Sequence, residues 1–221
     1  MQNVTAFWIS VSFLEQARHL NVVLFWCSAA GLVNLGDNPI EDERHLPATI
    51  FAIGAGHVNP SRANDPGLIY DIQPQDYVPY LCGLSYTDQQ VSAILQKKVT
   101  CTISIPEAEL NYLSFSNKLG SETQKYTRAV TNVGEANSTY TVEISPPEGV
   151  EITVSPSSLY FSKVKERITY QVTFKRSASG TVSNANFVQG YLKWSSDKHY
   201  VQVPLQLFWI SESTISHLNK F

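Results

Sequence analysis

The sequence is short of several things, and each shortage excludes a class of protein. Only 16% of its 221 residues are charged, against about 25% in an ordinary soluble domain. Basic residues are not in excess: 16 Lys+Arg against 19 Asp+Glu leave a net charge of −3. A nucleic-acid binder would carry a basic patch or stripe, so that class is excluded. Three cysteines are too few for a disulfide-dense mini-scaffold. Neither of the two N-terminal apolar patches, Val4–Leu14 and Leu20–Leu35, reaches the roughly 20 apolar residues of a membrane span. What is present is a hydrophobic fraction of 43% and an aromatic fraction of 11%, enough for a packed core. At about 150 residues per domain, the length fits one domain plus an extra piece.

The first fifty residues give little. Arg18 and His19, then Val22–Trp26, then Cys27-Ser28-Ala29-Ala30 imitate the order of a signal peptide, but Met1–Leu14 carries no positive charge. A buried or poorly folded segment is the plainer expectation. From Leu35 to Pro47, Gly36-Asp37-Asn38-Pro39 and the charges Glu41–Arg44 mark a surface loop.

Phe51–Ile72 combines Gly54, Gly56 and Gly67 with Pro60 and Pro66, which specifies a fixed, irregular path. Gly54-Ala55-Gly56 lacks the third glycine of a dinucleotide fingerprint, and no metal-ligand spacing surrounds His57. No cofactor is therefore expected, and His57 reads as a hydrogen-bonded structural residue. A short helix is predicted over Asp76–Leu81. A second opens at Thr87, where Thr87-Asp88-Gln89-Gln90 forms a capping box. Val91, Ile94 and Leu95 share its apolar face, and Lys97 and Lys98 suit its C-terminal dipole. Cys82 and Cys101 flank this helix. A bridge between them would close a loop of about 20 residues and contribute about 3 kcal/mol. Three cysteines allow three pairings, and two free buried thiols are the alternative.

From Asn111 the period changes to two. Tyr140, Val142 and Ile144 alternate with polar residues, as do Ile168, Tyr170, Val172 and Phe174, and again Val201, Val203, Leu205 and Leu207. Such alternation sets one face on a core and the other in water. Val188–Trp194, Tyr112–Ser116, Tyr126–Asn132, Val150–Ser155 and Ser158–Phe161 complete the set of predicted strands. Turn signals separate them, and seven or eight such strands predict an antiparallel β-sandwich of about 100 residues. Pro204 inside a strand predicts an edge strand or a bulge. Asn137-Ser138-Thr139 is an N-glycosylation acceptor in a loop before a strand, and Asn3-Val4-Thr5 is another sequon.

Several strings then converge on one family. Gly54-Ala55-Gly56-His57-Val58-Asn59-Pro60 and Asp65-Pro66-Gly67-Leu68-Ile69-Tyr70-Asp71 resemble the last part of the protease domain of plant subtilisin-like serine proteases. Tyr77–Tyr86 resembles the helical connector that follows. Glu109–Tyr112, Arg128–Gly134 and Tyr191–His199 resemble their fibronectin type III-like domain. Leu113 departs from the family, which usually has Pro there. The resemblance implies a mainly β fold in five parts: a divergent apolar segment at 1–32, a remnant of the peptidase domain at 33–75, a helical connector at 76–108, the fibronectin type III-like sandwich at 109–210, and a tail at 211–221. It also implies that Cys82 pairs with Cys101 and that the protein is extracellular, in the apoplast.

The family's catalysis needs an Asp, a His and a Ser brought together, with an oxyanion-hole donor. The Gly-Thr-Ser-Met-Ala-like motif of its serine is not here; the nearest string, Gly180-Thr181-Val182-Ser183, lies in the β-rich half. Gly83-Leu84-Ser85-Tyr86-Thr87 fails the nucleophile-elbow pattern at its last position. No residue is carried over as catalytic. The expected function is a truncated, non-catalytic protease fragment. The alternative is a free-standing sandwich that binds a protein or glycan through its loops, or a protein through the exposed remnant. A hydrolase built from other Ser, His and Asp residues is a third reading, which a structure showing no Ser–His pair within hydrogen-bonding reach would dispose of.

Overall fold

The computed structural model describes residues 26–34, 36, 38–177 and 187–209. The apolar patch Val4–Leu14, the sequon at Asn3, the Gly180–Ser183 string and the tail lie outside the described residues. Nine strands follow in chain order: β1 (Leu68–Ile69), β2 (Phe115–Leu119), β3 (Gln124–Asn132), β4 (Ser138–Ser145), β5 (Val150–Ser155), β6 (Ser158–Phe161), β7 (Arg167–Arg176), β8 (Phe187–Ser195) and β9 (Tyr200–Trp209). They build a four-stranded sheet in the order β1-β3-β7-β5 and a five-stranded sheet in the order β2-β9-β8-β4-β6.

One core joins the two sheets. On β7, Tyr170, Val172 and Phe174 are buried while Thr169 and Gln171 stay outside or at the margin, which is the period-two pattern turned into packing. Rings bridge the layers: Tyr170 meets Trp194 at 5.0 Å and Phe115 meets Phe174 at 5.3 Å, both edge to face. Each such ring buried contributes about 1.5–3 kcal/mol from the area it removes from water. The mainly β sandwich fold is thus as the alternation predicts.

Four details differ from the sequence expectation, each for a local reason. The strand predicted at Tyr112–Ser116 begins only at Phe115, because the Tyr112 and Ser114 carbonyls accept from the buried guanidinium of Arg128 instead. It then pairs parallel to β9, Phe115 opposite Leu205, whereas every other pair is antiparallel. Pro204 lies neither on an edge strand nor at a bulge: β9 is flanked by β8 and β2. Its only partner is Tyr191 of β8, and β2 starts one residue later, so the ring that lacks an N–H sits where β9 still has one open side. Finally, β9 does not alternate between core and water. Gln206 and Pro204, on its outer face, are also buried, because residues 26–63 lie across it.

Those residues form short turns of helix, α1 (Ile50–Ile53) and α2 (Pro60–Ala63), and the connector adds α3 (Tyr77–Gly83) and α4 (Asp88–Leu95). The capping box of α4 is formed: the Thr87 N–H donates to Gln90 Oε1 at 2.9 Å and the Gln90 N–H to Thr87 Oγ1 at 3.4 Å. Val91 and Leu95 are buried, but Ile94 is exposed, so the apolar stripe is narrower than the sequence suggests. Gln96 turns left-handed (φ 51°) and ends the helix, leaving Lys97 and Lys98 just beyond its last turn.

The sandwich draws part of its core from far upstream. Leu68 and Tyr70 are fully buried members of the shared core, and β1 pairs with β3 through Leu68 opposite Asn132 and Ile69 opposite Thr131. Tyr70 and Tyr170 share a buried hydroxyl–hydroxyl hydrogen bond of 2.6 Å. Burial and the neighbouring Tyr170 push the Tyr70 hydroxyl well above its usual pKa, so the pair is neutral. A fragment of residues 109–210 lacks these two side chains. It is expected to unfold at a lower urea concentration than one of residues 66–210 by more than the 2–5 kcal/mol of a single buried large-to-small change. Equal midpoints would show that β1 is dispensable.

Candidate functional site

The residues that carry the family resemblance converge on the seam where the upstream segment meets the sandwich. Asn59 caps α2, accepting from the Arg62 N–H at 3.1 Å, with Pro60 at the first helical position. This turn aims Arg62 at β9, where its guanidinium lies 3.6 Å over the Tyr200 ring and donates to the Tyr200 carbonyl. Asp65 follows, its carboxylate 2.9 Å from His199 Nε2. Gly67 has φ +78°, and a Cβ there would lie 2.5 Å from the Tyr140 hydroxyl, so only glycine fits. Its carbonyl accepts from the N–H groups of Val133 (2.8 Å) and Gly134 (3.1 Å).

The chain then enters β1 and leaves at Asp71, whose carboxylate accepts from the Thr131 hydroxyl at 2.9 Å. Asn111 closes the seam. Its Nδ2 donates to the carbonyls of Asp71 (3.0 Å) and Ala129 (2.9 Å), and its Oδ1 accepts from the Ala129 N–H (2.8 Å). Glu109 accepts from the Thr127 N–H at 3.0 Å. Arg128 is buried; it donates to the carbonyls of Tyr112, Thr127 and Ser114 and stacks 4.0 Å over Phe115. Asn132 binds the Glu135 carbonyl and the Gly134 N–H, which shapes the turn against Gly67.

The chemistry this arrangement can do is limited. Asp65, His199 and Ser196 come together, a constellation the sequence reading did not single out because Asp65 and His199 lie far apart in the chain. They do not form a relay. The Ser196 hydroxyl engages the backbone of His199, its carbonyl at 3.3 Å and its N–H at 3.1 Å, while the imidazole turns to Asp65. A nucleophile needs its base in hydrogen-bond reach, and no hydrogen bond joins the Ser196 hydroxyl to the His199 ring. His57 is exposed; its contribution is backbone, exchanging hydrogen bonds with Gly31 at 3.0 and 2.8 Å. Beside it Gly56 packs so close that a Cβ would meet the Gly31 carbonyl at 2.3 Å.

A cavity of about 160 Å³ remains between the upstream segment and the outer face of β9, lined by Cys27, Ile50, Tyr112, Phe115, Pro204 and Gln206 among others. Burial pushes the Cys27 thiol above its usual pKa, and among the described residues no His or carboxylate lines the cavity, so this sulfur is a poor nucleophile. Among the described residues no three His, Cys, Asp or Glu side chains converge as a metal site. No helix there is long and apolar enough to cross a membrane. The structure joins Cys82 to Cys101 by a disulfide, Cα to Cα 5.7 Å, which ties the end of α3 to the chain after α4. Asn137 is exposed at the start of β4, with its Oδ1 accepting from the Tyr160 hydroxyl at 2.9 Å.

The fold and its seam define a fibronectin type-III domain with an upstream strand built in, and residues 109–207 match that domain family. Over a longer stretch the chain is 44% identical to Subtilisin-like protease SBT1.2 of Arabidopsis thaliana, covering 71% of this chain and 21% of that protein. It is 42% identical to Subtilisin-like protease SBT1.7 of the same plant, over 74% of this chain and 22% of the relative. With Subtilisin-like protease SBT3 of Solanum lycopersicum it shares 41% identity over 62% and 19%. The chain belongs to the plant subtilisin-like proteases, as a C-terminal region of that family. It spans about a fifth of the length of these curated relatives.

Two outcomes test the seam. Arg62→Ala removes the stacking and the carbonyl contact that hold α2. Proteolysis within residues 26–63 is expected to quicken severalfold, while the sandwich loses no more than about 1 kcal/mol, because local opening is cheaper than global unfolding. Replacing both Cys82 and Cys101 by alanine is expected to cost about 3 kcal/mol, read from the denaturant midpoint under oxidising conditions.

Proposed function

We propose that these 221 residues are the non-catalytic C-terminal part of a plant subtilisin-like serine protease and that their role is architectural. The observation that carries this reading is that the family-resembling residues, from Asn59 and Asp65 to Asn111, Arg128 and Asn132, are spent on holding the upstream segment to the sandwich. Asp65 meets His199, but the Ser196 hydroxyl is bonded to the His199 backbone and not to its ring. The division into a peptidase-domain remnant (33–75), a connector (76–108) and a fibronectin type III-like domain (109–210) belongs to the same reading.

Residues 26–63 support it from the other side. Trp26, Leu46, Phe51 and Val58 are each about half exposed. A segment that presents so many large apolar groups is suited to lie against a larger body, here the rest of a protease domain. In an intact enzyme the sandwich would brace that domain, and the catalytic Asp, His and Ser would come from elsewhere in the longer protein. Low charge, the Cys82–Cys101 bridge and the sequon at Asn137 fit an extracellular protein, where a disulfide persists.

The test is activity-based labelling. The purified chain, incubated with a fluorophosphonate serine probe, is expected to remain unlabelled. Covalent labelling of any serine would overturn the non-catalytic reading.

A further inference from the structure

The sequon at Asn137 lies beside two features that its sequence does not announce. The first is an open sheet edge. β6 is the last strand of the five-stranded sheet, and among the described residues nothing pairs with its outer side. An uncovered edge is a template for adding a foreign strand. The second is Tyr160, on that same strand, which is 57% exposed and directly opposite Thr139 of the sequon in the β4–β6 register. Its hydroxyl donates to Asn137 Oδ1 at 2.9 Å. Asn137 itself has φ 56°, a left-handed conformation that asparagine tolerates better than most residues. Its Nδ2 carries no hydrogen bond among the described residues.

We propose that Asn137 is N-glycosylated and that the first sugar packs on the Tyr160 ring, so that the glycan covers the free edge of β6. This rests on the reading that the protein enters the secretory pathway. In the transfer, Asn137 Nδ2 attacks C1 of the reducing-end sugar of a lipid diphosphate-linked oligosaccharide. The N–C1 bond forms and the C1–O bond to the diphosphate breaks. The lipid diphosphate leaves with that electron pair, and the amide nitrogen gives up one proton to a base. Transfer takes place on the extended chain. Folding then brings Tyr160 to Asn137, and the apolar C–H face of the sugar meets the face of the ring, whose other end is polar and wet. A bulky, hydrophilic group on this edge blocks strand addition.

The full chain, produced in plant cells behind a secretory leader, tests this by intact glycopeptide mass spectrometry and thermal melting. The leader delivers the chain whatever route the natural protein takes, so an empty Asn137 speaks against the site and not against secretion. The peptide containing Asn137 is expected to be occupied in most molecules. The glycosylated protein should melt about 2–4 °C above Thr139→Ala, which loses the sequon but keeps Asn137. That gap should close when Tyr160→Ala is added to both and persist with Tyr160→Phe, which keeps the ring. An unoccupied Asn137 overturns the site. A gap unchanged by Tyr160→Ala, or abolished by Tyr160→Phe, overturns the role of the ring.

Discussion

Two residues of backbone pairing hold the molecule together. β1 lies in the first sheet through Leu68 and Ile69, and Leu68 and Tyr70 stand in the core beside Val130 and Tyr170. Whatever is attached upstream is therefore anchored inside the sandwich and not merely tethered to it. The approach to β1 allows no other path. At Gly67 the backbone runs so close to Tyr140 and His199 that any side chain would collide, and its carbonyl is spent on the turn at Val133 and Gly134. Asp65 before the strand and Asp71 after it are fixed to His199 and Thr131. Withdrawing the strand would open the core and leave all of these groups without their partners, which costs free energy at each of them.

This anchoring explains the second layer of burial. With Leu68 fixed, the preceding forty residues fold back across the outer face of β8 and β9. Phe51 meets Phe187 at 5.0 Å, the Ile50 N–H donates to Gln189 at 3.0 Å, and Arg62 stacks on Tyr200. A face that would be wet in an isolated sandwich becomes an internal boundary. The cost of burying Arg128 is met on the other side of the seam. Burial lowers its pKa, yet a guanidinium stays charged, and three carbonyls and an aromatic face replace its water. Those carbonyls include Tyr112 and Ser114, which is why β2 cannot begin before Phe115.

The Asp65–His199–Ser196 group shows how little residue type alone decides. The three side chains are the right ones for acyl transfer and they are neighbours, yet the serine hydroxyl is bonded to the histidine's backbone and no hydrogen bond joins it to the ring. Orientation turns an apparent relay into a clasp at the end of β9. The same clasp brings β9 against the Gly67 approach, so it belongs to the mechanics of the seam.

Much of this was legible in the sequence. Period-two runs such as Tyr170–Phe174 and Val201–Leu207 fixed strands and their core faces, because alternation and the pleat share one period. Thr87 and Gln90 specified a helix start, since both halves of a capping box are local. The strings around Gly67, Asn111 and Arg128 pointed to the family. What those strings do was beyond the sequence. The pairing of Leu68 with Asn132, the parallel contact of β2 with β9, the cover over Pro204 and Gln206, and the meeting of Asp65 with His199 all join residues distant along the chain. Such contacts depend on which surfaces come together once the core closes, and local propensity carries no record of that choice.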